Sequence, residues 1–484
     1  MTARERNSVR LFSGVDRVAV LLYMALTIIG MVSVFSASWS ETSDAPLSLS
    51  HNYMKQAMWL GLSWVAALVI LLLDSSFWHK FSYHTYGIGI LALLLTLAIG
   101  TRVNGAKAWI ALGGFRIQPM EFTKIAIALA TARMMSEYSF SLGKVGDLLR
   151  LAALLILPLG ITVLQNDLGS GLVLGSFLFM LYREGLNKWL CVPVICIATL
   201  FILSFVFTPV TLLVALIVVF TFSATMMMRE NWKVCLKYIA SLFLASILLH
   251  LLLNLVVADG VEYYITLLST TLLSLVAVVV YAFRKSLRSL YIIVLLFFVS
   301  TMILPTSDLL FSKVLKEHQQ KRIQSFLGLV SDPKADYNVN QSKIAIGSGG
   351  LIGKGYLQGS QIRYGLVPER HTDFIFCTIG EEWGFVGTLT TLLFLATFIL
   401  RLMKMGDRQQ ETFGRVYCYC VASILLFHVL INIGMTVGLM PVMGIPLPFI
   451  SYGGSSLFAF TIMVFIAFSL DASTRRELPT YRYI

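Results

Sequence analysis

Between two long apolar blocks lies a polar, glycine-rich stretch, 320–384, that carries carboxylates at Asp332, Asp336, Glu369 and Asp373. Asp332 precedes Pro333, and an aspartate before a proline is commonly a turn residue. Its functional reading is a general base. When a sugar hydroxyl attacks the anomeric carbon of a second sugar, a carboxylate beside it takes the proton, and partial burial raises that carboxylate's pKa to suit. Asp336 is a second carboxylate close by in the chain.

Gly347-Ser348-Gly349-Gly350 and Gly353-Lys354-Gly355 form a glycine-dense run. It lacks Walker spacing and follows no strand, so a nucleotide loop is not expected. Two readings stand side by side: an anion nest of backbone N–H groups for a diphosphate, or a tight re-entrant turn that needs glycine. The connectors on the same side hold Arg102, Lys107, Arg116, Lys343, Lys354, Arg363 and Arg370. A leaving diphosphate needs such cations, because negative charge develops on it in the transition state. The plain alternative is solvated loop charge.

Ionisable residues also sit inside or at the mouths of apolar runs: Glu121, Lys124, Asp167, Asp373, Glu381 and Glu382. Each is costly in hydrocarbon and is expected to face a cavity or a partner. Glu121 and Lys124 share one helical turn and can pair, either structurally or around a substrate. Asp167 opens a run, where it caps the helix or lines a cavity. His371-Thr372-Asp373 opens another, and capping by Thr372 or Asp373 is the simpler expectation. Residues 443–454, MGIPLPFISYGG, are broken by proline and glycine, and broken backbone at membrane depth must line a cavity or be buried in protein.

The elements that position these residues are membrane helices. The chain has 484 residues, 57% hydrophobic and 13% charged, with a mean hydropathy of +0.81. A soluble domain carries about a quarter charged residues. Apolar runs near 20 residues predict an all-α polytopic membrane protein. The expected spans are 17–38, 54–73, 84–100, 119–136, 149–164, 167–183, 188–207, 210–228, 234–257, 263–283, 288–306, 371–401, 413–440 and 448–471, about fourteen in all. Basic residues fall in alternate connectors, which predicts that both termini are cytoplasmic and that 101–118, the 165–166 turn, 307–370 and 441–447 face outside. The formal charge of +12 is then explained by cytoplasmic connectors and an anionic lipid substrate, and no nucleic-acid partner is expected. Residues 307–327 approximate an amphipathic stripe, read as a helix lying on the outer leaflet. The six cysteines show no metal-ligand spacing and are expected to pack as apolar groups. The first apolar run, long and without a clear cleavage site, is read as a retained span.

The motifs IQPMEFTKIA (117–126), LQNDLGSGLVL (164–174), QSKIAIGSGGLIGKGYLQGSQ (341–361), PERHTDFIFCTIGEEWGFVG (368–387) and INIGMTVGLMPVMGIPLPFISYGGSS (431–456) together resemble the SEDS family (shape, elongation, division and sporulation). The chain is more similar to its RodA branch than to its FtsW branch. The resemblance implies a peptidoglycan glycosyltransferase that polymerises lipid II on the outer face of the cytoplasmic membrane, acting with a class B penicillin-binding protein as transpeptidase. It implies a catalytic role for Asp332, and it places Glu121, Lys124 and Asp167 on the family's polar cavity residues. Lys107, Arg116, Lys343, Lys354, Arg370, His371 and Asp373 complete the expected substrate-binding set. A divalent cation, magnesium or manganese, is a further expectation at the diphosphate.

The chain departs from the family pattern in places. Ala108 stands where an arginine is usual before Trp109, Met120 where a serine is usual, and Asn166 where a proline is usual. Asp336 occupies a position typical of glycine, which puts a second carboxylate near the expected base. The resemblance also implies about ten family helices plus about four inserted ones. The expected organisation is 1–187, N-terminal family helices; 188–306, inserted helices around one family helix; 307–370, an extracytoplasmic catalytic loop with an interfacial helix; and 371–484, C-terminal family helices. The rival reading is a lipid II flippase, with Glu121, Lys124 and Asp167 on a polar path.

Overall fold

The structure, a computed structural model, describes residues 14–39, 51–103, 105–112, 115–187, scattered positions between 193 and 204, and 207–228, 230–256, 261–313, 317–329 and 333–477. It divides into two compact units. One is built from Met1–Leu186 with Ser331–Ile484, the other from Asn187–Val330.

The first unit begins with α1 (Arg17–Ser38), α2 (Asn52–Leu72) and α3 (Ser75–Ile99). Asp16 and Asp74 cap α1 and α3 by accepting backbone N–H groups of Ala19 and Ser76, as N-cap aspartates do. A three-stranded antiparallel sheet follows, β1 (Thr101–Val103), β2 (Ala106–Leu112) and β3 (Phe115–Ile117), in the order β1-β2-β3. Then come α4 (Pro119–Met135), with proline in its first turn, and α5 (Val145–Leu164). A left-handed Asn166 turns the chain into α6 (Leu168–Val173), and a 3₁₀ turn leads on to α7 (Phe177–Arg183). The second unit holds α8 (Pro209–Met227), α9 (Trp232–Val256), α10 (Tyr263–Arg284), α11 (Arg288–Lys313) and the short α12 (Glu317–Phe326). The chain re-enters the first unit with α13 (Pro333–Ser348), α14 (Ser360–Arg363), α15 (Ile375–Arg408), α16 (Thr412–Thr436) and α17 (Gly454–Glu477).

Among the described residues, ten helices are long and apolar enough to cross a membrane, and Leu168–Arg183 and Leu290–Thr306 are apolar but shorter. The centre of the first unit is α16 and α17, whose apolar stretches are 78% and 83% buried, against 11% for α9. α4 is buried on nearly every face. At one end, Asp16 meets Arg401, Arg408 and Arg475, and Asp471 meets Arg408 and Arg475, locking α1, α15 and α17 together.

Three sequence expectations change. The expected span 84–100 is the C-terminal part of α3, which starts at Ser75, because the polar SSFWHKFSYHTY segment is helical though not apolar. The expected interfacial helix over 307–327 is not one helix: α11 runs on to Lys313, and α12 starts afresh at Glu317. The outer connector 101–118 is a β-meander in an otherwise helical chain. The expected span 188–207 falls largely outside the described residues.

Candidate active site

One end of the first unit gathers the ends of several elements around the broken segment that joins α16 to α17. Gln56 of α2 donates to Ser451 O at 3.3 Å, and Tyr452 N donates to His371 O at 2.8 Å. Asn432 of α16 donates to Asp373 O (2.8 Å) and Ile445 O (2.7 Å). Ser451 Oγ accepts Leu447 N and so fixes the turn internally. The broken backbone thus finds its partners in protein, as hydrocarbon requires.

Gln118, just before α4, joins the other elements of this end. Its side-chain amide donates to Asp167 Oδ2 (2.8 Å) and Ser170 Oγ (2.9 Å), and Ser455 Oγ of α17 accepts its backbone N–H. Asp167 is the N-cap of α6 and also accepts Ser170 N. It therefore caps a helix and orients Gln118 together. The meander is tied in where Lys107 N donates to Gln165 O and Lys107 Nζ to Ala98 O, both at 2.8 Å. Arg116, exposed on β3, acts electrostatically on the Tyr452 phenol.

Beneath this end, Lys124 is fully buried and sits 2.8 Å from Glu121 Oε2. Its ammonium also meets His428 Nε2 at 2.9 Å and lies 5.1 Å from the centre of the Phe460 ring. His428 Nδ1 faces Pro446 O at 3.2 Å. This closed network links α4, α16 and α17 directly to the broken segment.

The glycine run packs as a tight turn against α15. Three of its N–H groups are spent on the chain itself: Gly353 N donates to Gly349 O, Lys354 N to Glu381 O and Gly355 N to Glu382 O. In return Phe385 N and Val386 N donate to Gly350 O and Leu351 O. α15 breaks helical geometry at Gly384, where φ is 63°, and the run docks into that break. A Cβ at Gly349, Gly353 or Gly384 would collide with backbone of the opposite segment, which is why glycine is needed there. The buried Glu381 carboxylate accepts Gln361 N and Ile362 N at the start of α14 and pairs with Lys354 Nζ at 2.6 Å. Lys354, expected at the substrate, is held by this carboxylate instead. Glu382 accepts Leu357 N and the Ser36 hydroxyl of α1.

A polar pocket of about 270 Å³ opens at the same end, lined by Ala37, Ser38, His51, Asn52, Glu369, Arg370 and His371. Arg370 is half-buried and its Nε donates to Ala37 O at 2.8 Å. Burial pushes the His371 imidazole below its ordinary pKa, against the pull of Glu369. The expected capping by Thr372 or Asp373 is not found: the N-cap of α15 is Phe374, and Thr372 donates to the Glu369 carboxylate. Lys343 is exposed on α13, and its ammonium end occupies the space that a Cβ on Gly438, in the α16–α17 connection, would need. Asp332 lies outside the described residues, and α13 begins at the residue after it. Asp336 lies in the first turn of α13.

The structure therefore brings together Asp167, Arg370, His371 and Asp373 around the broken segment, with Lys343, Lys107 and Arg116 on the elements beside it. It sets Glu121 and Lys124 below in a closed network and takes Lys354 away into the glycine clamp. Gln118, Asn432, Gln56 and His428 were missed by sequence reasoning. Of these, only His428 carries a signal a single sequence offers, a titratable side chain within an apolar run. Among the described residues no three His, Cys, Asp or Glu side chains come together to hold a metal ion.

Comparison with known proteins covers nearly the whole chain. A family model described as a cell cycle protein, FtsW/RodA/SpoVE, matches residues 16–213 and 217–476. The peptidoglycan glycosyltransferase RodA of Treponema pallidum (strain Nichols) is 33% identical over 469 residues, covering 96% of this chain and 99% of that protein. The peptidoglycan glycosyltransferase MrdB of Escherichia coli (strain K12) is 28% identical, covering 96% and 94%. Two solved structures share the fold. A chain from work described as structural coordination of polymerization and crosslinking by a peptidoglycan synthase complex is 23% identical with a TM-score of 0.60, covering 95% of this chain and 98% of its own. The Thermus thermophilus rod shape determining protein RodA is 22% identical with a TM-score of 0.54, covering 94% and 96%.

Proposed function

The chain belongs to the FtsW/RodA/SpoVE family of cell cycle proteins, and on that premise we infer its activity and how its site works. It is a peptidoglycan glycosyltransferase. Its substrate is lipid II, a disaccharide-peptide on a polyprenyl diphosphate, which it polymerises on the outer face of the cytoplasmic membrane. Both termini are then cytoplasmic. The observation that carries this reading is the collection of polar side chains at one end of the first unit, around a broken segment whose backbone is satisfied by protein. A flippase would need polar groups along a path to both faces. Here the opposite end of the unit is closed by the Asp16, Asp471 and arginine girdle.

In the proposed reaction Asp332 accepts the proton of the acceptor hydroxyl as that oxygen attacks the anomeric carbon of the donor. The bond from that carbon to the diphosphate oxygen breaks with inversion, and the lipid diphosphate leaves. Arg116, Lys343 and Arg370 stand on elements around the site and meet the charge that develops on the leaving group. Lys107 helps hold the meander that carries Arg116. A divalent ion carried by the diphosphate itself is the form of the cation expectation this chemistry supports. A class B penicillin-binding protein is the proposed partner, in keeping with the synthase complex in which a protein of the same fold occurs.

The test is lipid II polymerisation by the purified protein with its transpeptidase. Asp332→Asn preserves a side chain that can still end a helix but cannot take a proton, and it is expected to slow glycan synthesis by about 10²–10⁴. Asp336→Asn should stay within severalfold of wild type. Unimpaired synthesis by folded Asp332→Asn would assign the base elsewhere.

A further inference from the structure

In the second unit, α8, α9, α10 and α11 part from one another at one end and leave a cavity of about 450 Å³. Phe220, Ala224, Leu242, Leu275, Val278 and Phe297 form its walls. A buried water makes roughly three hydrogen bonds, and walls of this kind offer almost none. An apolar occupant fits better, and the volume lies in the range of ordinary ligand sites, about 300–1,000 Å³.

The walls come from the last turns of α8 and α10 and the first turns of α9 and α11. The cavity therefore lies toward the end of the unit where those helix pairs are joined. The chemistry there changes abruptly. Thr221, Tyr238, Tyr281 and Glu230 reach the lining, and Lys233, Lys237, Arg284 and Lys285 stand exposed in the same turns. Among the described side chains of these turns, the cations Lys233, Lys237, Arg284 and Lys285 outnumber the carboxylate Glu230. On α9, Val234, Tyr238 and Leu242 line the cavity at helical spacing, and Lys233 and Lys237 each sit one residue before a lining position. That offset turns Lys233 and Lys237 about 100° round α9 from the lining face, whereas Arg284 and Lys285 follow the lining Tyr281 by three and four positions, on its own face.

We propose that this cavity holds one acyl chain of an anionic phospholipid, with the headgroup phosphate bound by Lys233, Lys237, Arg284 and Lys285. The apolar cavity alone would take any acyl chain; the basic mouth selects the headgroup, as basic pockets between membrane helices do. The proposal uses residues of the second unit alone and does not depend on the reading of Asp332.

The full-length protein, purified in mild detergent, is exchanged against micelles containing equal phosphatidylglycerol and phosphatidylcholine, and retained lipid is counted by mass spectrometry. About one phosphatidylglycerol per chain is expected to survive, as one site of this size allows. Ala224→Phe and, separately, Ala277→Phe fill the cavity and should abolish retention. Lys237→Gln and Lys285→Gln should each lower the preference for phosphatidylglycerol about fivefold. All four variants should polymerise lipid II as wild type does, which separates loss of the site from loss of the fold. Equal retention of the two lipids, undiminished retention in an active cavity-filled variant, or preferential retention of a polyprenyl phosphate overturns the proposal.

Discussion

Lys124→Met distinguishes structure from chemistry in the buried pair of α4. Lys124 is 0% exposed and Glu121 3%, with 2.8 Å between the charged atoms. At that separation the attraction is about 6 kcal/mol for an effective dielectric near 20. Removing both ions from water costs several kcal/mol each, so the intact pair is near break-even. A surviving partner alone is not. Lys124→Met leaves the Glu121 carboxylate buried and uncompensated, at an expected cost of about 3–5 kcal/mol. Glu121→Gln combined with Lys124→Gln removes both charges while keeping donors and acceptors for His428, and should cost only about 1 kcal/mol. The measurements are thermal unfolding in detergent and lipid II polymerisation on the same preparations. If the single and double variants are equally unstable, the pair does not act as reasoned here. A double variant that is stable but inactive would move both residues from the scaffold to the substrate.

Other positions give sharper contrasts. Gly353→Ala, at φ +83° with its Cβ driven into the Glu382 backbone, should prevent stable folding, whereas Gly347→Ala, in open space on α13, should be tolerated and gain up to about 1 kcal/mol; recovery of monodisperse protein from membranes reads both. The His371 imidazole is held below 6.5 by burial, so the unfolded chain binds a proton first as the pH falls. Stability should therefore rise with pH up to about 6.5 and flatten above it, and His371→Gln should remove that slope from the dependence of Tm on pH. Chelation by EDTA, followed by magnesium or manganese, checks the cation expectation: activity lost and then restored supports it, and unchanged activity removes it.

The sequence carried the membrane class, the main helices and the motifs that mark the family, because hydropathy and fixed motifs are local properties. It carried the site less well. Ser75 to Tyr86 belong to α3 although the segment is polar, since helix here is set by the Asp74 cap and packing, not by apolarity. The meander over 101–117 is short and reads as connector. The fate of Lys354 depends on Glu381, far along the chain, and nothing near Lys354 announces that partner. The same holds for the glycine run, where two local readings were equal until the Gly384 break showed what it docks against. Asn432 acts by holding the backbone of Asp373 and Ile445, and Gln118 by holding the side chains of Asp167 and Ser170, roles with no sequence signature.

The discontinuity of the first unit has a consequence for biosynthesis. Tyr23 on α1 bonds Thr461 on α17 across 438 residues, and Gln56 on α2 bonds Ser451 across 395. Asp16 likewise waits for Arg408 and Arg475. At roughly 5–20 residues per second, those partners leave the ribosome on the order of a minute after α1 has entered the membrane. The unit from 187 to 330 has been synthesised before that. During that interval α1 and α2 have each other but lack α15 and α17, and are open to chaperones and to quality-control proteases. Variants in α17 should therefore reduce the amount of protein that survives synthesis as well as the stability of what does.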